Sequence, residues 1–200
     1  LNNNTTGYSN VAIGTEALMR NTDRSNLVAV GDSALYNNGT GVSFPGEARR
    51  NTAVGSKALY TNTTGADNTA AGFNSLFLNS SGYSNTANGA SSLRANTTGY
   101  QNAASGAYSL LSNTTGIYNA AHGNSSLGSN TQGDYNTGSG SNALFNNTLG
   151  NRNTAAGYTA LSTNTIGNNN TAIGYAADVA VNNLSNATAI GYNAKVAASN

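Results

Sequence analysis

The sequence predicts an all-β chain, a parallel β-roll or β-solenoid of about eleven coils, each of seventeen residues. Three observations lead there. A glycine recurs at every seventeenth position, and leucine, asparagine and small-residue columns keep fixed distances from it. Asn, Thr, Ser, Gly and Ala dominate the chain, and only 8 % of its residues are charged.

The glycine column runs through Gly14, Gly31, Gly55, Gly72, Gly89, Gly106, Gly123, Gly140, Gly157, Gly174 and Gly191. Every step is seventeen positions except Gly31 to Gly55, which is twenty-four. Self-similarity at a fixed period marks a repeat architecture. Two residues before the glycine stands a small residue, as in Ala53 through Ala121. Four after it comes leucine, at Leu18, Leu35, Leu59, Leu76, Leu93, Leu110, Leu127, Leu144 and Leu161. Asp178 and Lys195 break that column. Asparagine recurs four before the glycine (Asn51, Asn68, Asn85) and seven after it (Asn62, Asn79, Asn96). A second glycine follows ten after, as in Gly65, Gly82 and Gly99. On the same grid Leu1, Asn4 and Gly7 fall in a truncated repeat, so residues 1–200 read as one array cut from a longer fibre. The seven extra residues are assigned to an inserted loop at 42–50.

Seventeen residues are too few for a two-helix repeat, and a glycine- and asparagine-rich unit is a poor helix former. Two short extended runs are expected instead, N-T-A-x-G and A-L-x-x-N. Turns join them where glycine supplies positive φ and asparagine bonds nearby backbone. Each run pairs in parallel with its copy in the next coil, at about 4.8 Å per coil. The nine leucines then form a buried spine, and stacked asparagines form amide ladders. One leucine per coil is a thin core for ordering a whole repeat of backbone. That predicts more burial between chains, with the alanine column admitting a neighbouring backbone, and so a homo-oligomer.

No residue presents itself as catalytic, cofactor-binding or metal-ligating. His122 is the only histidine and has no acid or nucleophile at a recurring position. The carboxylates Glu16, Asp32, Asp67, Asp134 and Asp178 are scattered without a recurring pair, and cysteine is absent. The chain therefore reads as a non-enzyme, and a polysaccharide-degrading β-helix is disfavoured. The column just before the glycine is apolar at its ends (Ile13, Val54, Ile173, Ile190) and polar in the middle (Asn88, Ser105, His122, Ser139). It reads either as a tolerant face or as an axis between chains that holds water or an ion. Candidate surface-binding residues are Pro45, Arg49 and Arg50 of the insertion, and Tyr83 and Tyr100, which share one column. A second tyrosine column is Tyr158, Tyr175 and Tyr192. Such rows either cover turns or meet a sugar or a partner. A net charge of +1 gives no basic patch for nucleic acid, and no apolar run predicts membrane insertion in this segment.

The runs Asn10-Val11-Ala12-Ile13-Gly14, Asn170-Thr171-Ala172-Ile173-Gly174-Tyr175 and Ala187-Thr188-Ala189-Ile190-Gly191-Tyr192-Asn193-Ala194 resemble head repeats of trimeric autotransporter adhesins. The seventeen-residue unit with A-L and N-T-T-G is also similar to repeats of phage-type tail fibres, some of which end in an endosialidase-type chaperone domain. The resemblance spans the chain. It implies a left-handed roll assembled as a homotrimer, exposed outside the cell, on a cell surface or on a virion or tail-fibre-like particle. The adhesin heads use shorter units than this one. The function expected is a structural and adhesive fibre segment, a rigid shaft giving multivalent attachment to a host-cell or surface receptor, including a glycan. The alternative is a single-chain solenoid that binds a repetitive surface such as ice, through turn threonines such as Thr63-Thr64 and Thr97-Thr98.

Overall fold

A computed structural model describes residues 3–199, so Leu1 of the truncated repeat lies outside the described residues. Each coil contributes one three-residue strand, formed by the T-A-x of the repeat. These are β1 (Val11–Ile13), β2 (Val28–Val30), β3 (Thr52–Val54), β4 (Thr69–Ala71), β5 (Thr86–Asn88) and β6 (Ala103–Ser105). They continue as β7 (Ala120–His122), β8 (Thr137–Ser139), β9 (Thr154–Ala156), β10 (Thr171–Ile173) and, in the last coil, β12 (Thr188–Ile190). Together they form one parallel eleven-stranded sheet in chain order, each residue paired with its copy in the next coil. Two shorter strands, β11 (Asp178–Val179) and β13 (Lys195–Val196), pair separately. The described residues contain no helix, hence none long and apolar enough to cross a membrane.

The A-L-x-x-N run, expected to be extended, is instead a chain of turns. The corner glycine takes φ between 122 and 140°, and the residues two and four after it are also left-handed. The nine leucines of the column have φ of 49–55°. A left-handed non-glycine residue costs about 1–2 kcal/mol. The cost is offset because the alternation aims successive N–H groups along the stack. Tyr108 N–H donates down to Ala90 O at 2.9 Å, and Leu110 N–H donates up to Ser126 O at 3.0 Å. Where Asp178 and Lys195 replace the leucine, φ is no longer positive and β11 and β13 form.

The interior holds all nine leucines, fully buried, with the middle residue of each strand pointing in beside them. Ala53, Ala70, Ala87, Ala104 and Ala121 are therefore taken up inside their own coil. They are not available to a neighbouring chain, which corrects the role expected for that column. The thin apolar spine is completed by two columns of buried asparagines. In one, each side chain from Asn4 through Asn21, Asn38, Asn62 and Asn79 to Asn164 passes a hydrogen bond to the last, nine bonds of 2.8–3.4 Å. In the other, Asn85 Oδ1 accepts Asn102 N–H at 3.0 Å while Asn85 Nδ2 donates to Gly99 O at 2.8 Å, and the pattern repeats along the stack. Buried amides are tolerable because both ends are satisfied.

The two glycine columns have different causes. The corner glycines need both their φ and their missing Cβ. The turn glycines do not have positive φ, contrary to expectation. A Cβ on Gly99 would collide with Asn96 Oδ1 and Gly116 O, so glycine is required there by close approach.

The coil with the insertion departs from the stack earlier than the spacing predicts. Gly39 N–H donates to Thr63 O at 3.0 Å and Ala48 N–H donates to Thr64 O at 2.9 Å, so both ends are in register. The excursion is therefore 40–47. Arg49 O accepts Asp67 N–H at 3.0 Å, which returns Arg49 and Arg50 to the regular grid.

Candidate binding surface

Three surface features remain once the ladders are accounted for: aromatic rows, the excursion, and the outer face of the long sheet. A repeat of one coil height puts side chains of one column about 4.8 Å apart, which suits ring-on-ring contact.

Tyr83 and Tyr100 stack with centroids 4.7 Å apart and planes 6° from parallel. Tyr100 meets Tyr118 edge-on at 5.6 Å, because Tyr118 sits one residue later in its coil, and Tyr118 then stacks on Tyr135 at 4.9 Å. Arg152 closes the row with its guanidinium 5.6 Å from the Tyr135 centroid. A second row, Tyr36–Tyr60–Phe77, stacks at 5.1 and 5.3 Å between Arg20 and Arg94. A third is Tyr158–Tyr175–Tyr192, at 5.4 Å for each step. Stacking occupies ring faces that a sugar would otherwise cover, so the interior members of these rows offer edges and hydroxyls. Each contact adds stability to neighbouring coils, about 0.5–1.5 kcal/mol beyond area burial.

Arg49 stands in the column of Tyr83 and Tyr100, two coils earlier. Arg50, beside it, makes a two-pronged bond to Asp67, Nε–Oδ1 2.5 Å and Nη2–Oδ2 2.9 Å. Those hydrogen bonds lower the Asp67 pKa and raise that of Arg50. The pair is exposed, so its net worth is small. Pro45 lies apart from these residues, on the exposed excursion. The excursion is held from two sides. Glu47 Oε2 accepts the N–H of Ser43 and of Phe44 at 2.7 and 2.9 Å. Arg24, buried beneath, donates from Nη1 to Phe44 O and Pro45 O at 3.3 and 3.4 Å. Arg24 Nε also lies 3.1 Å from Asp23 Oδ1, an ion-pair distance without hydrogen-bond alignment. The bonds from Phe44 and Ser43 hold the Glu47 carboxyl below the usual carboxylate range. Phe44 is left 68 % exposed at the tip.

On the outer face of the sheet, the first and third residues of each strand point outward. His122 is exposed there, paired in register with Ser105 and Ser139. The threonines of the turn are largely committed to backbone: Thr97 Oγ1 donates to Thr114 O at 3.0 Å, and Thr114 Oγ1 to Thr131 O at 2.9 Å. A different threonine row faces out from the sheet, including Thr69, Thr86, Thr137 and Thr154. Among the described residues there is no cavity, and no group of His, Asp and Glu is placed to hold a metal ion. Sequence reasoning missed the extension of the Tyr83 row to Tyr118 and Tyr135. A search allowing a shift of one position between coils would have found it.

No protein-family model matches the chain, and neither a curated protein nor a solved structure matches it.

Proposed function

We propose that the chain is a rigid structural and adhesive segment of an extracellular fibre, of the surface-adhesin or tail-fibre kind. It acts by binding and not by turnover. Three copies associate in parallel as a left-handed homotrimer and present repeated weak contacts to a host-cell or surface receptor, protein or glycan. The observation that supports this reading most is the asparagine ladder, which runs from Asn4 to Asn164 without a break and joins ten successive coils. Bonds that all run along one axis make a rod, and a rod that repeats one surface at fixed spacing gains avidity when multiplied. Phe44 and Pro45, raised on a braced excursion, are an exposed contact for a receptor. Sedimentation equilibrium and small-angle scattering test the assembly: a trimer with rod-like dimensions is expected. A folded monomer at micromolar concentration refutes the trimer. Attachment of the protein to cells, compared with a Phe44→Ala variant, tests the adhesive role.

A second reading is a single-chain binder of a repetitive surface such as ice. Its support is the outward threonine row of the sheet, spaced about 4.8 Å and interrupted by Ala103 and Ala120. It requires a monomer that lowers the freezing point without lowering the melting point.

A further inference from the structure

We infer that the outer face of the eleven-stranded sheet is the surface through which copies of this chain join, side by side, parallel and in register. The inference rests on the fibre reading and assigns its assembly to one face.

The first argument is charge. The two outward rows of that sheet contain no Asp, Glu, Lys or Arg, although the chain has 15 such residues. Other sides of the coil carry them freely, as at Glu16, Lys57, Asp67, Arg94 and Arg152. In a parallel in-register assembly every side chain on the contact meets its own copies. A charge would then meet a like charge, which is destabilising when directly opposed.

The second argument is apolar exposure. Val11, Ile13 and Val54 at one end and Ile173 and Ile190 at the other are exposed on this face, Ile13 by 61 % and Ile190 by 66 %. Two ends of one face are covered together by a long, straight partner, and a second copy of the same coil stack has that shape. Around the glycine corner, Tyr158, Tyr175 and Tyr192 continue the exposed patch at the second end.

The third argument is shape and area. The outward residues are mainly Thr, Ala, Ser, Val and Ile, so the face is shallow and two backbones can approach closely. Eleven strands at about 4.8 Å and two side-chain rows give on the order of 500 Å² per chain and about 1,000 Å² per pair, the threshold that separates a specific interface from a casual contact. The polar middle of the row, Asn88, Ser105, His122 and Ser139, meets its own copies as well, and offers donors and acceptors to each of them.

The chain has no cysteine, so single-cysteine variants read the contact directly. Thr69→Cys and Thr137→Cys place a thiol on the outer face, four coils apart; Thr98→Cys places one on an exposed turn. The oligomeric protein, oxidised and run under denaturing conditions, is expected to give cross-linked pairs for Thr69→Cys and for Thr137→Cys separately, and none for Thr98→Cys. Mixing the first two is expected to give no heterologous cross-link. An oligomer that cross-links at Thr98→Cys and not at Thr69→Cys overturns the choice of face and leaves the fibre reading standing. Cross-links found only in the Thr69→Cys and Thr137→Cys mixture overturn the parallel arrangement. A monomer in sedimentation overturns the assembly reading itself.

Discussion

Ser126 Oγ donates to Gly138 O at 3.0 Å, and a Cβ on Gly138 would collide with that hydroxyl. Gly138 is the one interruption in a column that otherwise reads alanine from Ala12 to Ala189. Ser75, Ser92 and Ser109 occupy the place of Ser126 in earlier coils, but donate within their own turn to Gly72, Gly89 and Gly106. There the next coil carries Ala87, Ala104 and Ala121. Serine therefore has a second rotamer that accommodates alanine. Gly138→Ala is expected to turn Ser126 onto Gly123 O and to change stability by no more than about 1 kcal/mol, with the reduced freedom of the unfolded chain favouring alanine. Combined with Ser126→Ala, the same change should be stabilising. Urea unfolding of both variants checks this, and a loss above about 2 kcal/mol in the single variant would contradict the rotamer account.

Ala104 faces the interior of its own coil. Ala104→Leu should overpack that interior and cost about 1–3 kcal/mol. Because the strain lies within one chain, the loss in unfolding free energy should not depend on protein concentration. A variant that merely dissociates, with an equally stable monomer, would show that the alanine column faces a neighbour after all.

The period, the parallel pairing, the burial of leucine and the laddering of asparagine were legible because each follows from column identity alone; that the asparagines are buried was not. Nor was the backbone of A-L-x-x-N. Nothing in Leu93 or Leu110 announces a φ of 49°, and local preference opposes it. The ladder to the next coil and the inward burial of the side chain override that preference. The length of the insertion was legible from Gly31 and Gly55, but its position was not, because Ala48 stands where other coils carry glycine and hid the point of return. Of the candidate surface, the stacking of Tyr83 on Tyr100 follows from their common column. The bracing of Pro45 by Arg24 joins residues from adjacent coils of unlike length, and no spacing rule reveals it.

The excursion 40–47 is an addition to the stack and not part of it. Deleting residues 40–46 joins Gly39 to Glu47 and restores a coil of the regular length. The strand signal in circular dichroism should be unchanged. Arg24 would lose its two carbonyl partners, so the paired variant with Arg24→Gly, the residue other coils use there, should be the more stable of the two. Collapse of the β signal in both variants would mean that the excursion is needed for folding.

Glu47 is an acid whose pKa is lowered in the folded chain by N–H bonds from Phe44 and Ser43. Its contribution to loop order is present above the unfolded carboxylate value and is lost as pH falls through the lower folded value. The amide signals of Ser43 and Phe44 should therefore move together in an acid titration, with a midpoint below the usual carboxylate range. In Glu47→Gln they should not titrate with that midpoint. The signals of strand residues such as Ala87 should stay in place over the same range. Amide shifts unchanged between the native chain and the variant would remove Glu47 as the brace.

Asn113 tests the ladder itself. Its Nδ2 donates to Asn96 Oδ1 at 2.9 Å and Gly116 O at 3.0 Å, and its Oδ1 accepts from Asn130 Nδ2 at 2.8 Å, all without contact with solvent. Asn113→Ala removes a donor group shared by two acceptors and leaves a cavity, for an expected loss of about 2–4 kcal/mol. Asn113→Asp keeps the shape but sets an oxygen against Asn96 Oδ1 and Gly116 O. Ionised, it is a buried anion facing two acceptors, and burial and those neighbours both raise its pKa. Protonated, it serves one of the two. An acid with a raised folded pKa destabilises increasingly as pH climbs above its unfolded value of about 3.9. Relative to the native chain at the same pH, Asn113→Asp should therefore be worse than Asn113→Ala at pH 7 and should recover part of the difference near pH 4. Denaturant unfolding at the two pH values decides it. An aspartate variant as stable as the native chain at pH 7 would mean that the amide ladder does not hold the coils together.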